Sequence, residues 1–134
     1  MPLVRIEVIK GRSETDLVAI GNAIHRALVE CLNVPERDHF QIITEHSAGR
    51  LLYDSGYLGI ARTDGIVFVQ VFLSAGRTTE QKKAFYARVA GLLASEARVA
   101  PGDATIVLVE NTREDWSFGR GVAQYLELPM EQWK

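Results

Sequence analysis

The chain has little cysteine and no excess of either charge. Cys31 is its one cysteine, so no internal disulfide can form. Its place in an apolar helical pattern predicts a buried thiol rather than a reactive one. Fifteen basic and 17 acidic residues leave a formal net charge of −2 at pH 7, which gives no general attraction to nucleic acid or to an anionic membrane. No apolar run approaches the ~20 residues that a membrane span requires, and no charged-then-apolar leader precedes the first strand pattern. The expectation is a soluble, cytoplasmic protein with no nucleic-acid or membrane partner. Common catalytic signatures are also missing: no G-x-S-x-G elbow, no Walker loop and no G-x-G-x-x-G following a strand. Phe118-Gly119-Arg120-Gly121 contains a G-x-G, but without strand–turn–helix context its glycines suit a tight turn. His25 adjoins an apolar helical stripe, where a packed or surface histidine is expected. His39 and His46 have no cysteine or carboxylate at a zinc-site spacing, so neither a metal nor any other cofactor is predicted.

What the chain does have is one unit written twice. At 134 residues it is long enough for a single domain with a proper core. Laid on itself at an offset of 65 residues, Gly11-Arg12-Ser13 falls on Gly76-Arg77-Thr78, Asp38 on Asp103, and Glu45 on Glu110. Val4, Ile6 and Val8 fall on Val69, Val71 and Leu73, and Ile24 and Leu28 on Val89 and Leu93. The reading is one domain over 1–134. It comprises a βαβ unit over 2–46, a connection over 47–65, a second βαβ unit over 66–111 and a tail over 112–134.

In the first unit, Val4, Ile6 and Val8 alternate with Arg5 and Glu7, the period of a strand, and Pro2 suits a strand's first position. Ser13 can cap a helix, and Leu17, Ile20, Ile24, Leu28 and Cys31 line one face of it. Asn33-Val34-Pro35 ends the helix, and 40–45 reads as a second strand. In the second unit, 66–73 is almost wholly apolar. Thr78 with Gln81 makes a capping box, Phe85, Val89, Leu92 and Leu93 form a buried helical face, and 104–110 is a strand. Between the units, Gly49, Gly56, Gly59 and Gly65 predict a long connection with a small hairpin near Leu51–Tyr53. The tail reads as irregular.

The fold class is therefore α/β (α+β): duplicated β-α-β units forming a four-stranded mixed sheet with two helices on one face. Two helices cover only one face of such a sheet, yet strands 66–73 and 104–110 are apolar on both. Association with further copies of the chain is the economical cover for the second face.

Among polar residues, Arg12 and Arg77 each follow a strand and precede a helix, where a solvated turn arginine is the ordinary role and binding of a substrate carboxylate the chemical one. Asp38 sits in a turn before a strand, a common place for aspartate. An α-amino group on Pro2 would titrate near ~8 unperturbed, close enough to neutrality for acid or base work.

Pro2 opening a strand, Gly-Arg-Ser before a helix and Ile-Ile-Thr-Glu in the next strand together resemble the tautomerase superfamily, whose simplest member is 4-oxalocrotonate tautomerase. The doubled chain is more similar to the malonate semialdehyde decarboxylase branch. The specific pieces are Val34-Pro35-x-x-Asp38, 76–82 (GRTTEQK), and Val109-Glu110-Asn111 through 115–121 (DWSFGRG). The resemblance implies removal of Met1, a catalytic Pro2 amine, a pseudo-twofold between the units, and a homotrimer. It also implies that an aspartate matching Asp38 works beside the proline and that two arginines bind the substrate carboxylate. The second of these matches Arg77, and the first falls at Ala75 and is absent. Arg12 matches a catalytic arginine of 4-oxalocrotonate tautomerase, although a purely structural role is open to it in a doubled chain. Trp116 and Phe118 are candidates for the pocket wall, with core or interface packing the equal alternative.

The expected activity is Pro2-dependent chemistry on a small oxo acid, with keto–enol tautomerisation ahead of hydration and decarboxylation of malonate semialdehyde or a related 3-oxo acid. The alternative from another class is a non-catalytic, ferredoxin-like binding module, whose order of elements is the same.

Overall fold

The computed structural model describes residues 1–133. Its elements follow the doubled pattern: β1 (Pro2–Ile9), α1 (Glu14–Leu32), β2 (Gln41–His46), β3 (Val67–Ser74), α2 (Thr79–Ala97), β4 (Ala104–Asn111) and a short α3 (Gln124–Glu127). Both long helices contain 19 residues, and α1 begins and ends 65 positions before α2. Their caps repeat as well. Ser13 accepts a hydrogen bond from the backbone N–H of Asp16, while Thr78 and Gln81 form the reciprocal capping box. Asn33 and Arg98 close the helices in the left-handed region at φ 56° and 57°. Gly11 and Gly76, at φ 138° and 133°, make the same turn out of each first strand, a conformation that residues with a Cβ resist.

The sheet order is β2-β1-β3-β4, with β1 parallel to β2, β3 parallel to β4, and β1 antiparallel to β3. Each helix thus joins two adjacent strands. The ferredoxin-like alternative fails here, because its βαβ units are split by an intervening strand. Val4, Ile6 and Val8 of β1 and Val67, Val69, Val71 and Leu73 of β3 face the helices. They pack there against Leu17, Ile20, Ile24 and Leu28 of α1 and Phe85, Val89, Leu92 and Leu93 of α2. Phe85 heads the fully buried side chains by size. Cys31 is only partly buried rather than buried: it packs against the margin of this core, one residue before the buried Leu32.

On the other side of the sheet no element among the described residues covers Leu3, Phe68 and Phe72, and Val107 and Val109 of β4 are 48% and 41% exposed. Glu7 and His46 pair on this face at 2.8 Å, and the second carboxylate oxygen of Glu7 is buried without a partner among the described residues.

The expected hairpin near Leu51–Tyr53 does not form. Leu51 is buried, and the connection instead makes a 3-10 turn at Tyr57–Gly59. Distant polar contacts pin it: Tyr53 donates to Asp64 at 2.6 Å, and the backbone N–H and hydroxyl of Thr63 both donate to the buried carboxylate of Asp103. No helix among the described residues is long and apolar enough to cross a membrane.

Candidate active site

Strand pairing brings the candidate residues to one edge of the core. Val4 donates to the carbonyl of Phe40, which sets the start of β2 and the preceding Asp38 beside the start of β1. On the other side Pro2 lies opposite Leu73, so the β3 terminus at Ser74 and the following Gly76-Arg77 turn are its neighbours. Pro2 itself is buried.

With Met1 in place, the chain's terminal amine sits 3.4 Å from Asp38 Oδ2, and the Met1 and Asp38 side chains are only 5% and 12% exposed. The amine's pKa falls below its ordinary value of 8.0. Burial is the main cause, the Asp38 carboxylate opposes it and the Arg77 guanidinium adds to it. Asp38 moves up from 3.8, again chiefly through burial, against the downward pull of the amine, His25 and Arg77. Each partner of this pair is thus pushed towards its neutral form, because loss of water outweighs their mutual attraction. Asp38 Oδ1 is buried and has no partner among the described residues.

Arg77 is fixed rather than free. Its Nε and Nη2 donate to the carbonyl of Leu32 at 3.3 and 3.1 Å, and its Nη1 donates to that of Ser74 at 3.0 Å. Of its five N–H donors, two remain for a ligand. Arg12, its counterpart in the first unit, donates to the carbonyl of Gly65. Asp103, the counterpart of Asp38, is held by Thr63, and the counterpart of Pro2 is the interior strand residue Val67. The second half of the doubled chain therefore keeps the charges but has no terminal amine, and it uses those charges to anchor backbone.

Two cavities of about 340 Å³ each meet at Tyr125 and Trp133. One is lined by Asp38, Phe40, Phe118 and Leu128, the other by Met1, Ala75, Arg77 and Arg113. Phe118 thus faces the Asp38 cavity, while Trp116 lines neither cavity. It stacks behind Phe118 at 5.8 Å and donates its Nε1–H to Asn111. Gln124 staples the Phe118-Gly119 turn by accepting from Phe118 N–H and donating to the carbonyl of Gly119. His25 stacks on His39 at 4.2 Å and bonds the carbonyl of Glu36. Among the described residues no group of three or more His, Cys, Asp and Glu side chains gathers in a way that could hold a metal.

The sequence reading missed Tyr125. Its ring packs edge-on against Phe118 at 4.9 Å, and its hydroxyl pKa is pushed up to about 12 by burial and by Asp38, with Arg77 opposing. A tyrosine in this state is a hydrogen-bond donor at neutral pH. The site thus combines an amine inclined to be a neutral base, a carboxylate beside it, a guanidinium and a protonated phenol. Such a set can take a proton from one atom of a small acid and return it to another while polarising an oxygen.

The buried carboxylate has a consequence for stability. A folded-state pKa above the unfolded one means that ionised Asp38 is penalised in the fold, so its contribution is best at low pH and declines as pH rises through that region. The lowered amine behaves inversely, losing stability as pH falls from about 8. Asp38→Asn is therefore expected to raise the melting temperature at about pH 7 and to leave it unchanged at about pH 4. Thermal melts at the two pH values check this. A lower melting temperature for the variant at neutral pH would show that the ion pair, not its desolvation, dominates.

Residues 38–119 match the family model described as tautomerase enzyme, and residues 2–54 match a second model of the same description. The chain is 43% identical over 127 residues to Probable tautomerase YusQ of Bacillus subtilis (strain 168), covering 95% of this chain and all of that one. It is 42% identical to the FG41 malonate semialdehyde decarboxylase, in a structure inhibited by 3-bromopropiolate. There the TM-score is 0.88 and the alignment covers 92% of this chain and 94% of the other. At 23% identity it shares its fold with a fused 4-OT that forms a symmetric trimer, with TM-score 0.75 over 93% and 98% of the two chains. With the doubled βαβ architecture and the relatives agreeing, the chain belongs to the tautomerase superfamily, in its malonate semialdehyde decarboxylase-like branch.

Proposed function

We propose that this protein is a Pro2-dependent tautomerase of small oxo acids, working after Met1 is removed. The observation that carries the reading is the setting at the start of β1, beside Asp38 and Arg77: there the Met1 amine, one residue ahead of Pro2, has its pKa depressed by burial and by Arg77 despite the adjacent Asp38. An amine in this environment is inclined towards the neutral form, which is a base at physiological pH. In this reading the Pro2 nitrogen takes the proton from the enol hydroxyl of the substrate and delivers it to the neighbouring carbon. Arg77 attracts the substrate carboxylate, Tyr125 donates to the developing carbonyl oxygen, and Asp38 tunes the amine. Phe118 forms an apolar wall, and Trp116 supports it from behind.

A second reading has its own support. Asp38 stands within an ion-pair distance of the amine and could activate a water, and the relative at 42% identity is a malonate semialdehyde decarboxylase. Hydration or decarboxylation of a 3-oxo acid would then use the same residues with the amine charged. Purified protein beginning at Pro2 is assayed with phenylenolpyruvate and with malonate semialdehyde, and Pro2→Ala is assayed beside it. Ketonisation of phenylenolpyruvate as the dominant activity, weakened in Pro2→Ala, supports the leading reading. Dominant decarboxylation supports the second, and full activity of Pro2→Ala would remove both.

We also propose a homotrimer working in the cytoplasm. The uncovered sheet face supports the assembly, with its half-exposed Val107 and Val109 and the unpartnered oxygen of Glu7. These groups call for a protein surface, and a second or third copy of the chain is the surface always at hand.

A further inference from the structure

We infer that Arg113 is the carboxylate anchor of this site, standing where Ala75 leaves a gap. The cavity beside the terminal amine is lined by two guanidiniums, Arg77 and Arg113, and, among the described residues, by no aspartate or glutamate. A space of about 340 Å³ with that charge suits a small organic anion. Arg77 is already committed to the carbonyls of Leu32 and Ser74. Arg113 lines the cavity, is exposed, and makes no hydrogen bond and no ion pair among the described residues, so its planar fork of donors is uncommitted.

Its position is built rather than incidental. The Thr112 backbone N–H and hydroxyl both bond Asp115, closing the 3-10 turn Arg113–Asp115. Asn111, one residue earlier, accepts from Trp116. The Trp133 ring, centred 5.1 Å from the guanidinium carbon, holds it by a cation–π contact without using its N–H groups. Ala75 lines the same cavity with only a methyl group, so it takes up little of the space that the two cations share. Arg77 is then a fixed charge close to the amine, and Arg113 is the bidentate partner that selects acids. Trp133 and Met130 offer apolar surface to the remainder of the substrate. The preferred class is a small oxo acid carrying an apolar or aromatic group.

The assignment of the reaction rests on the proposed function, but the binding does not, and the experiment separates them. Calorimetric titration of the chain with 3-phenylpropionate and with its neutral amide, 3-phenylpropionamide, reads binding alone. Arg113→Gln is expected to weaken phenylpropionate binding about 10–100-fold, with Arg113→Lys between it and the parent. The amide is expected not to bind measurably. With phenylenolpyruvate the same variant should raise KM by a similar factor and change kcat by less than about threefold. Unchanged phenylpropionate binding in Arg113→Gln, or equal binding of acid and amide, would overturn the inference. Pro2→Ala that binds phenylpropionate normally but turns over nothing supports both readings. Arg113-dependent binding in a Pro2 enzyme without turnover supports the anchor and removes the tautomerase reading.

Discussion

A chain that keeps Met1, or carries an acetyl group on Pro2, is expected to turn over oxo acids about 10²–10⁴-fold more slowly than the chain beginning at Pro2. The reason is electronic before it is steric. While Met1 is attached, the Pro2 nitrogen belongs to a peptide bond, and its lone pair is delocalised into the carbonyl and unavailable to a proton. The amine of Met1 does occupy the site, 3.4 Å from Asp38, but one residue further out along the strand. Met1 also lines the cavity that holds Arg77 and Arg113, so retaining it fills space that a substrate needs. Preparations with defined N-termini, verified by intact mass, should show kcat/KM tracking the fraction that begins with Pro2. Equal activity in fully retained and fully processed preparations would rule out the proline amine as the base.

The largest effect on stability is expected at Phe85. Its ring is fully buried on α2, where it packs in the layer between the helices and the β1–β3 centre of the sheet. Phe85→Ala removes that apolar area and leaves a cavity that the rigid strands cannot collapse into. The expected cost is about 3–5 kcal/mol, a large share of the ~5–15 kcal/mol that holds a typical domain together. Urea melts at fixed protein concentration measure it, the concentration being controlled because association would add to apparent stability. A loss below about 1 kcal/mol would mean that α2 is less tightly packed than its burial indicates. The doubling offers an internal comparison: 65 positions earlier the same place is held by Ile20, also fully buried, where truncation removes less area.

Most of this architecture could be read from residue patterns because it is local. Alternation through Val4, Ile6 and Val8, the caps at Ser13 and Thr78, and the breaks at Asn33 and Ala100-Pro101 all act within a few residues. The structure places the elements within three positions of where those signals put them. The connection was misread for the complementary reason. Leu51–Tyr53 has the composition of a hairpin, but Tyr53 finds Asp64, and Thr63 finds Asp103, 40 residues away, so remote partners decide its path. Of the site, turns and strand ends place Pro2, Asp38 and Arg77, but it is the resemblance to the tautomerase superfamily that singles them out for chemistry. Tyr125 and Arg113 could not be placed in this way, since both lie in a tail whose local pattern says little and whose course is set by Phe118, Gln124 and Trp133. Nor does the sequence reveal that Arg77 has spent most of its donors on Leu32 and Ser74.

Met1 and Trp133 line one and the same cavity. Both ends of the described chain therefore converge on the proposed site instead of trailing away from it. An affinity tag at the front would abolish the amine, and one at the back would tug on the ring that steadies Arg113. For purification or immobilisation the safer handle is an internal one, in the exposed stretch around Tyr57–Gly59, where inserted residues would leave both ends untouched.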